Sequence, residues 1–240
     1  MIKNIFKIIL SMILWAIFWN VLIISVILML IISLFIPKKF YNPLVILVCK
    51  IVMYSLLLFP RNKGLKKEEV PFPVIYVANH VSFFDIFICG SILPGNPRGL
   101  ELKSHFNKPI YGWFISRFGE IPIDTSSKSS IKHSFLQITE MLKNKVRSIL
   151  IMPEGTRTRN GKIGAFKSGA FYLSRLSGIP IVPVVYKGLF ERNNPTNIIV
   201  NPGFFDVIIL PPVNPADFSS DDEMANFVRN LMSKTLEEKQ

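Results

Sequence analysis

Between Ile8 and Ile36 the chain carries no charged residue. That run is longer than the roughly 20 apolar residues needed to span the hydrocarbon layer of a bilayer. Lys3 and Lys7 precede it, and Pro37-Lys38-Lys39 ends it. A cleaved secretory leader is the competing reading. The run is too long for a leader's apolar region, and no Ala-x-Ala-like cleavage site follows, so a retained anchor is expected. A second apolar segment, Tyr41 to Phe59, is interrupted by Lys50. Two apolar helices joined by a short basic turn read as a hairpin that crosses and returns or lies within one leaflet. Lys50 sets the second helix at the interface or against protein, because a charge at mid-bilayer is costly. Pro60-Arg61-Asn62-Lys63-Gly64 closes the segment, and Leu65-Lys66-Lys67-Glu68-Glu69 reads as a polar linker. The expected division is a membrane-associated two-helix segment over 1–62 and a main domain over 63–240. Lysines flank both ends of the first helix, so the positive-inside rule does not fix its orientation. The basic cluster from Arg61 to Lys67 favours a main domain on the cytoplasmic face, beside anionic headgroups.

After the linker, apolar runs of strand length alternate with amphipathic helical stretches. The strand readings are Val74 to Ala78, Gly99 to Lys103, Glu120 to Asp124, Ser148 to Met152, Ile179 to Val185 and Phe204 to Leu210. Pro122 suggests an edge position for the third of these. The helix readings are Phe83 to Ile92, Pro109 to Phe118 with Gly119 as its C-cap, Ser126 to Lys145, Ser168 to Leu176 and Asp221 to Glu237. This alternation predicts an α/β domain whose central sheet, mostly parallel or mixed, is covered by helices. Lysine and arginine total 28 against 16 acidic residues, a net charge of +12. That balance suits an anionic membrane surface or a phosphorylated substrate. No zinc finger, aromatic-basic signature or basic recognition helix is present, so nucleic acid is not expected as a partner. The two cysteines, Cys49 and Cys89, lie in apolar segments and make neither a disulfide framework nor a metal site.

Two stretches at strand ends carry candidate chemistry. Asn79-His80-Val81-Ser82-Phe83-Phe84-Asp85 follows the first strand of the domain. A histidine and a carboxylate five apart share a face in neither a continuous helix nor a continuous strand, so they meet only if the chain turns between them. Ser82 supplies the turn, since Ser-x-x-Asp before an apolar run is a capping box. On this segment alone Asp85 also reads as a plain cap and His80 as a loop residue. The second stretch, Pro153-Glu154-Gly155-Thr156-Arg157, follows another buried strand, at the end where open α/β sheets place their sites. Arg157 can grip a phosphate, Gly155 permits close backbone approach, and Glu154 can accept from hydroxyls. Downstream, Phe166-Lys167-Ser168-Gly169 enters a helix, where free amides beside a lysine favour an anion.

In their order along the chain, these blocks resemble the PlsC-type glycerophospholipid acyltransferases, the lysophospholipid acyltransferase family. Asn79-His80 to Asp85 is similar to the family's NHxxxxD block, Pro153 to Arg157 to its PEGTR block, and Phe166 to Gly169 to its FKxG element. Pro180 to Val185 looks like its proline-containing fourth block. Lys103 and Pro109-Ile110-Tyr111-Gly112-Trp113 also fit. The likeness covers roughly residues 70–215. One position departs: Gly119-Glu120-Ile121-Pro122-Ile123-Asp124 fits the second block, but Thr125 stands where an arginine is expected.

The resemblance implies transfer of a fatty acyl group from acyl-CoA or acyl carrier protein to the free sn-2 hydroxyl of lysophosphatidic acid, giving phosphatidic acid. His80 would be the general base and Asp85 its orienting partner. Asn79, Ser82, Glu154, Gly155, Thr156, Arg157, Lys167 and Gly169 would bind substrate. Lys103, Arg117, Lys128 and Arg157 are the candidates to replace the absent arginine. Another lysophospholipid or glycerol 3-phosphate stays open as acceptor because of Thr125. No cofactor or metal is implied beyond the acyl thioester co-substrate. The partners would be membrane lipids, the lysophospholipid and the thioester, with its carrier protein where one bears it. Two other classes share parts of this pattern. One is a membrane-anchored hydrolase with His80, Asp85 and Glu154 around a metal, although His105 and His133 lie outside the blocks and leave such a site ligand-poor. The other is a non-catalytic anionic-lipid-binding protein.

Overall fold

Every residue of β2 (Ile75–Ala78) is buried, as a strand covered on both faces requires. Ile75 and Val77 point into one apolar layer, and Tyr76 and Ala78 into the other. The structure is a computed structural model that describes residues 2–37 and 40–238, so Lys38 and Lys39 of the expected basic turn lie outside the described residues. Around β2 the described residues form one seven-stranded sheet. Across it run β1 (Leu58–Gly64), β7 (Gly203–Ile209), β6 (Ile181–Lys187), β2, β5 (Ile149–Ile151), β3 (Arg98–Leu102) and β4 (Ile121–Ile123). The strands from β6 to β4 are mutually parallel. β7 runs antiparallel to β6, and β1 pairs parallel with β7, so the sheet is mixed. β4, with Pro122, is an edge strand as its proline suggests.

Helices cover both faces. On one side lie α1 (Ile2–Ile32), α2 (Tyr41–Tyr54) and α3 (Asp85–Ile92), and on the other α5 (Lys128–Lys143), α6 (Gly169–Ser177) and α8 (Asp221–Glu237). α4 (Tyr111–Phe118) joins β3 to β4 and ends on Gly119 in the left-handed region, as its C-cap. A short helix, α7 (Leu189–Arg192), follows β6.

One expectation needs correction. The division at 62 and 63 falls inside β1, where Asn62 pairs with Val207 and Lys63 with Ile208. Pro60 to Lys63 has no apolar alternation to announce a strand. As an edge strand it is held by backbone pairing on one side, with only Leu58 fully buried. The two apolar helices also pack on the sheet. Leu14 and Phe18 of α1 and Val52 and Met53 of α2 are buried in the same layer as Phe84, Ile88 of α3, and Val182 and Val184 of β6. With α3 they cover one face of the sheet. The opposite side of α1 stays apolar and exposed at Ile9, Ile13, Ile17 and Ile24. Among the described residues α1 is the one helix long and apolar enough to cross a membrane. At about 1.5 Å per residue, α2 is roughly 21 Å long and does not cross a 30 Å layer by itself.

Candidate active site

The parallel strands deliver their C-terminal ends to one edge of the sheet. His80 follows β2, Glu154 to Arg157 follow β5, Lys103 follows β3 and Asp124 follows β4. Open α/β sheets bind ligands outside this edge.

The turn after β2 brings the separated pair together. His80 Nδ1 lies 2.7 Å from Asp85 Oδ2. The Asp85 carboxylate also accepts from the Val81 amide at 2.9 Å and the Ser82 amide at 3.1 Å. Its return bond to Ser82 is one half of the expected capping box, and the Ser82 hydroxyl accepts from the Phe84 amide at 3.3 Å. The box itself is not completed: α3 begins at Asp85 with Phe84 as its N-cap and no side-chain capping bond, so the Ser82–Asp85 contact shapes the turn that precedes the helix. The Asp85 side chain is 2% exposed and that of His80 is 26% exposed, so the carboxylate is sealed and the imidazole reaches the surface. Burial pushes the Asp85 carboxyl up, while the His80 bond and the two amides pull it back down. A neutral imidazole that gives its Nδ1–H to a carboxylate carries its lone pair on Nε2.

The second stretch is latched onto the first. Glu154 Oε1 accepts from the His80 amide and Oε2 from the Gly164 amide, both at 2.8 Å. The Thr158 amide donates to the His80 carbonyl at 2.8 Å. Glu154 is therefore a strut between loops, with its oxygens spent on amides. Gly155 adopts φ +69°, and a Cβ there would sit 2.5 Å from Lys167 Nζ. The glycine lets the ammonium of the third block lie against the second. The Lys167 amide meanwhile bonds the Pro153 carbonyl at 2.9 Å. Thr156 and Arg157 are exposed, and Arg157 has no ion-pair partner among the described residues.

Several residues expected to touch substrate do other work. Asn79 is buried, its Oδ1 accepting from the Tyr186 amide at 2.8 Å and its Nδ2 donating to the Tyr186 carbonyl at 3.3 Å. It pins the end of β2 to β6. Ser82 is buried and donates to Asn193 Oδ1 at 3.0 Å. Arg117 turns to the apolar helices: it bonds the carbonyl and, at 3.1 Å, the hydroxyl of Ser33, with its guanidinium over the Tyr41 ring. Gly169 serves packing, since a Cβ would press to 3.3 Å from the Phe135 ring of α5. Lys103 pairs with Asp124 at 3.2 Å, and Asp124 is pulled down to about 2, chiefly by the Ser126 hydroxyl and amide and then by Lys103. Lys128 is exposed at the start of α5.

Sequence reasoning passed over Thr158 and Asn193. Thr158 acts through its backbone, which no side-chain signal announces. Asn193 lies 111 residues from Ser82, beyond any local pattern. It also passed over the seat of the His80–Asp85 loop on α1. The rings of Trp15 and Phe18 pack on Phe83 and Phe84 at centroid separations of 5.5–6.4 Å.

Comparison with known proteins bears on this arrangement. The family model described as Acyltransferase matches residues 63–187. A 1-acyl-sn-glycerol-3-phosphate acyltransferase of Saccharomyces cerevisiae is 34% identical over 170 residues, covering 69% of this chain and 56% of the yeast protein. A chloroplastic protein of the same description from Arabidopsis thaliana is 32% identical over 167 residues, covering 69% of this chain and 45% of its own length. The chain thus spans about half the length of these two relatives. The crystal structure of the 1-acyl-sn-glycerophosphate (LPA) acyltransferase PlsC from Thermotoga maritima shares the fold. Its TM-score is 0.80 at 21% identity, over 98% of this chain and 96% of that one. The matched stretch runs from the end of β1 through β6 and takes in the His80–Asp85 pair and the loop latched to it, and on that match the chain belongs to the acyltransferase family.

Proposed function

We propose that this chain is a membrane-associated lysophosphatidic acid acyltransferase. The observation that carries the reading is the sealed Asp85 carboxylate holding His80 by Nδ1, so that Nε2 is the outward-facing base. In the proposed reaction Nε2 takes the proton of the sn-2 hydroxyl as its oxygen attacks the thioester carbonyl carbon. The new C–O bond forms, and the carbonyl π electrons move to oxygen. Collapse of that oxyanion breaks the C–S bond, and the departing thiolate receives the proton from Nε2. The acceptor hydroxyl is itself the nucleophile, so no acyl-enzyme intervenes. Arg157 and Lys167, brought to the same loop, offer two cations to the acceptor phosphate.

The relatives' descriptions support lysophosphatidic acid as acceptor. The exposed apolar side of α1 and its seat against Phe83 and Phe84 support attachment to the membrane that holds that acceptor. The donor is an acyl thioester, acyl-CoA or acyl carrier protein, and the domain faces the cytoplasm. Thr125 favours a second reading of the acceptor, glycerol 3-phosphate or another lysophospholipid, because the expected arginine is absent. An acceptor panel with purified protein in detergent and one long-chain acyl-CoA tests the assignment. Fastest thiol release with lysophosphatidic acid supports it, and preference for another acceptor replaces it. Lipid binding without thioester consumption, or activity abolished by a chelator, points to the other two classes.

A further inference from the structure

Asn193 sits immediately after α7 and is 4% exposed. Its carboxamide faces two ways. Oδ1 accepts from the Ser82 hydroxyl at 3.0 Å, and Nδ2 donates to the Ile199 carbonyl at 3.2 Å. Ser82 belongs to the catalytic loop, where its amide holds Asp85 at 3.1 Å and Asp85 holds His80 at 2.7 Å. The segment around Ile199 is bound to α1. Trp15 Nε1 donates to the Ile198 carbonyl at 2.8 Å, and Ser11 Oγ accepts from the Val200 amide at 3.0 Å. A continuous series of polar contacts thus leads from the apolar helix to the imidazole, and Asn193 is its central member.

We propose that Asn193 is a positioning residue for the acyl transfer, coupling α1 to the catalytic loop; this rests on the reading of His80 as the base. A hydroxyl has one proton to give. Because Asn193 Oδ1 takes it, the Ser82 lone pairs are left facing the Phe84 amide at 3.3 Å, which fixes the turn into α3. The ring contacts of Trp15 and Phe18 with Phe83 and Phe84 hold α1 near the loop but set no donor direction. Removing the Asn193 acceptor frees the buried hydroxyl to turn elsewhere and releases the turn that aims Asp85. Displacing a reacting group by about 1 Å costs on the order of 10²-fold in rate.

The test uses the full chain in lipid nanodiscs with lysophosphatidic acid and an acyl-CoA, comparing Asn193→Ala, Ser82→Ala, the double variant and Asn193→Asp. Asn193→Ala is expected to lower kcat at least about tenfold per folded enzyme, with both KM values unchanged. The double variant is expected to be no slower than the slower single, because both changes break one contact. Asn193→Asp keeps the acceptor for Ser82 and is expected to retain more kcat than Asn193→Ala. A change in KM alone, an unchanged kcat, or losses that multiply would overturn the proposal. Histidine-selective 15N NMR reads the hydrogen-bonded His80 Nδ1 proton without any turnover, so a failure of the wild type to use lysophosphatidic acid is told apart from a failure of positioning. That signal is expected to shift or broaden in Asn193→Ala, and an unchanged signal refutes the role.

Discussion

Replacing Asp85 with asparagine alters one atom of a side chain that is 2% exposed and makes three separate contacts. Oδ2 accepts from His80 Nδ1 at 2.7 Å and from the Val81 and Ser82 amides at 2.9 and 3.1 Å, whereas Oδ1 meets only the Ser82 amide, at 3.1 Å. An asparagine satisfies the most donors with its carbonyl oxygen at the Oδ2 place, which leaves its NH2 facing the Ser82 amide alone. The His80 contact then persists as a bond to a neutral acceptor. What is lost is the negative charge that stabilises the imidazolium formed as Nε2 takes the proton. A charged hydrogen bond is worth about 1–2 kcal/mol more than a neutral one. A fall in kcat on the order of tenfold is therefore expected, with little change in either KM. Stability is expected to change by only about 1 kcal/mol. The variant gives up charged acceptor bonds, but a neutral group is spared the desolvation that already pushes the carboxyl up. The assay is release of thiol from acyl-CoA with lysophosphatidic acid as acceptor, beside a thermal melt followed by circular dichroism. A variant with folded melting behaviour and an unchanged kcat would refute the part played by the Asp85 charge.

Glu154→Gln leaves one of the His80 and Gly164 amides facing an NH2 group, which costs roughly 1–3 kcal/mol of stability and loosens the latch; unchanged melting and kcat would show that the strut is dispensable. Arg157→Ala is expected to raise the KM for the lysophospholipid about tenfold or more, the worth of a charged hydrogen bond, with kcat little affected; an unchanged KM removes Arg157 from the acceptor site. Glu120 predicts a pH effect. Burial, opposed by Arg98, holds its carboxyl up at about 7 against an ordinary 4.5. The folded state binds this proton more tightly than the unfolded chain, so the contribution of Glu120 to stability is greatest below about 4.5. It falls by roughly 3 kcal/mol as pH rises to 7. Denaturant melts across that range should show the fall in the wild type and its loss in Glu120→Gln, and parallel profiles would exclude Glu120 as its source.

The strands β2, β5 and β6 were legible because burial on both faces demands unbroken apolar runs, and α5 because one face of Ile131 to Leu142 is apolar. The His80–Asp85 contact was legible because Ser82 explains the turn that it needs. β1 was hidden because an edge strand is held by its backbone, and Pro60 to Lys63 resemble a turn. The place of α1 and α2 was hidden for another reason. An uninterrupted apolar helix looks the same whether lipid or protein covers a given side, and here Leu14 and Phe18 meet protein while Ile13 and Ile17 do not. Residue type also misleads where one group has two uses. Arg117 and Asn79 have the chemistry of substrate ligands, yet their partners are Ser33 and Tyr186. Asn193 could be found only once the fold had brought it to Ser82.

The proposed role of His80 Nε2, as the base in acyl transfer to lysophosphatidic acid, is open to a direct test. The direct measurement is phosphatidic acid formed per folded enzyme, by mass spectrometry, from lysophosphatidic acid and a long-chain acyl-CoA with purified wild type and His80→Ala. The wild type is predicted to form phosphatidic acid, and His80→Ala is predicted to fall to the uncatalysed background while melting as a folded protein. Turnover in His80→Ala equal to wild type, or a wild type that forms no phosphatidic acid, would contradict it.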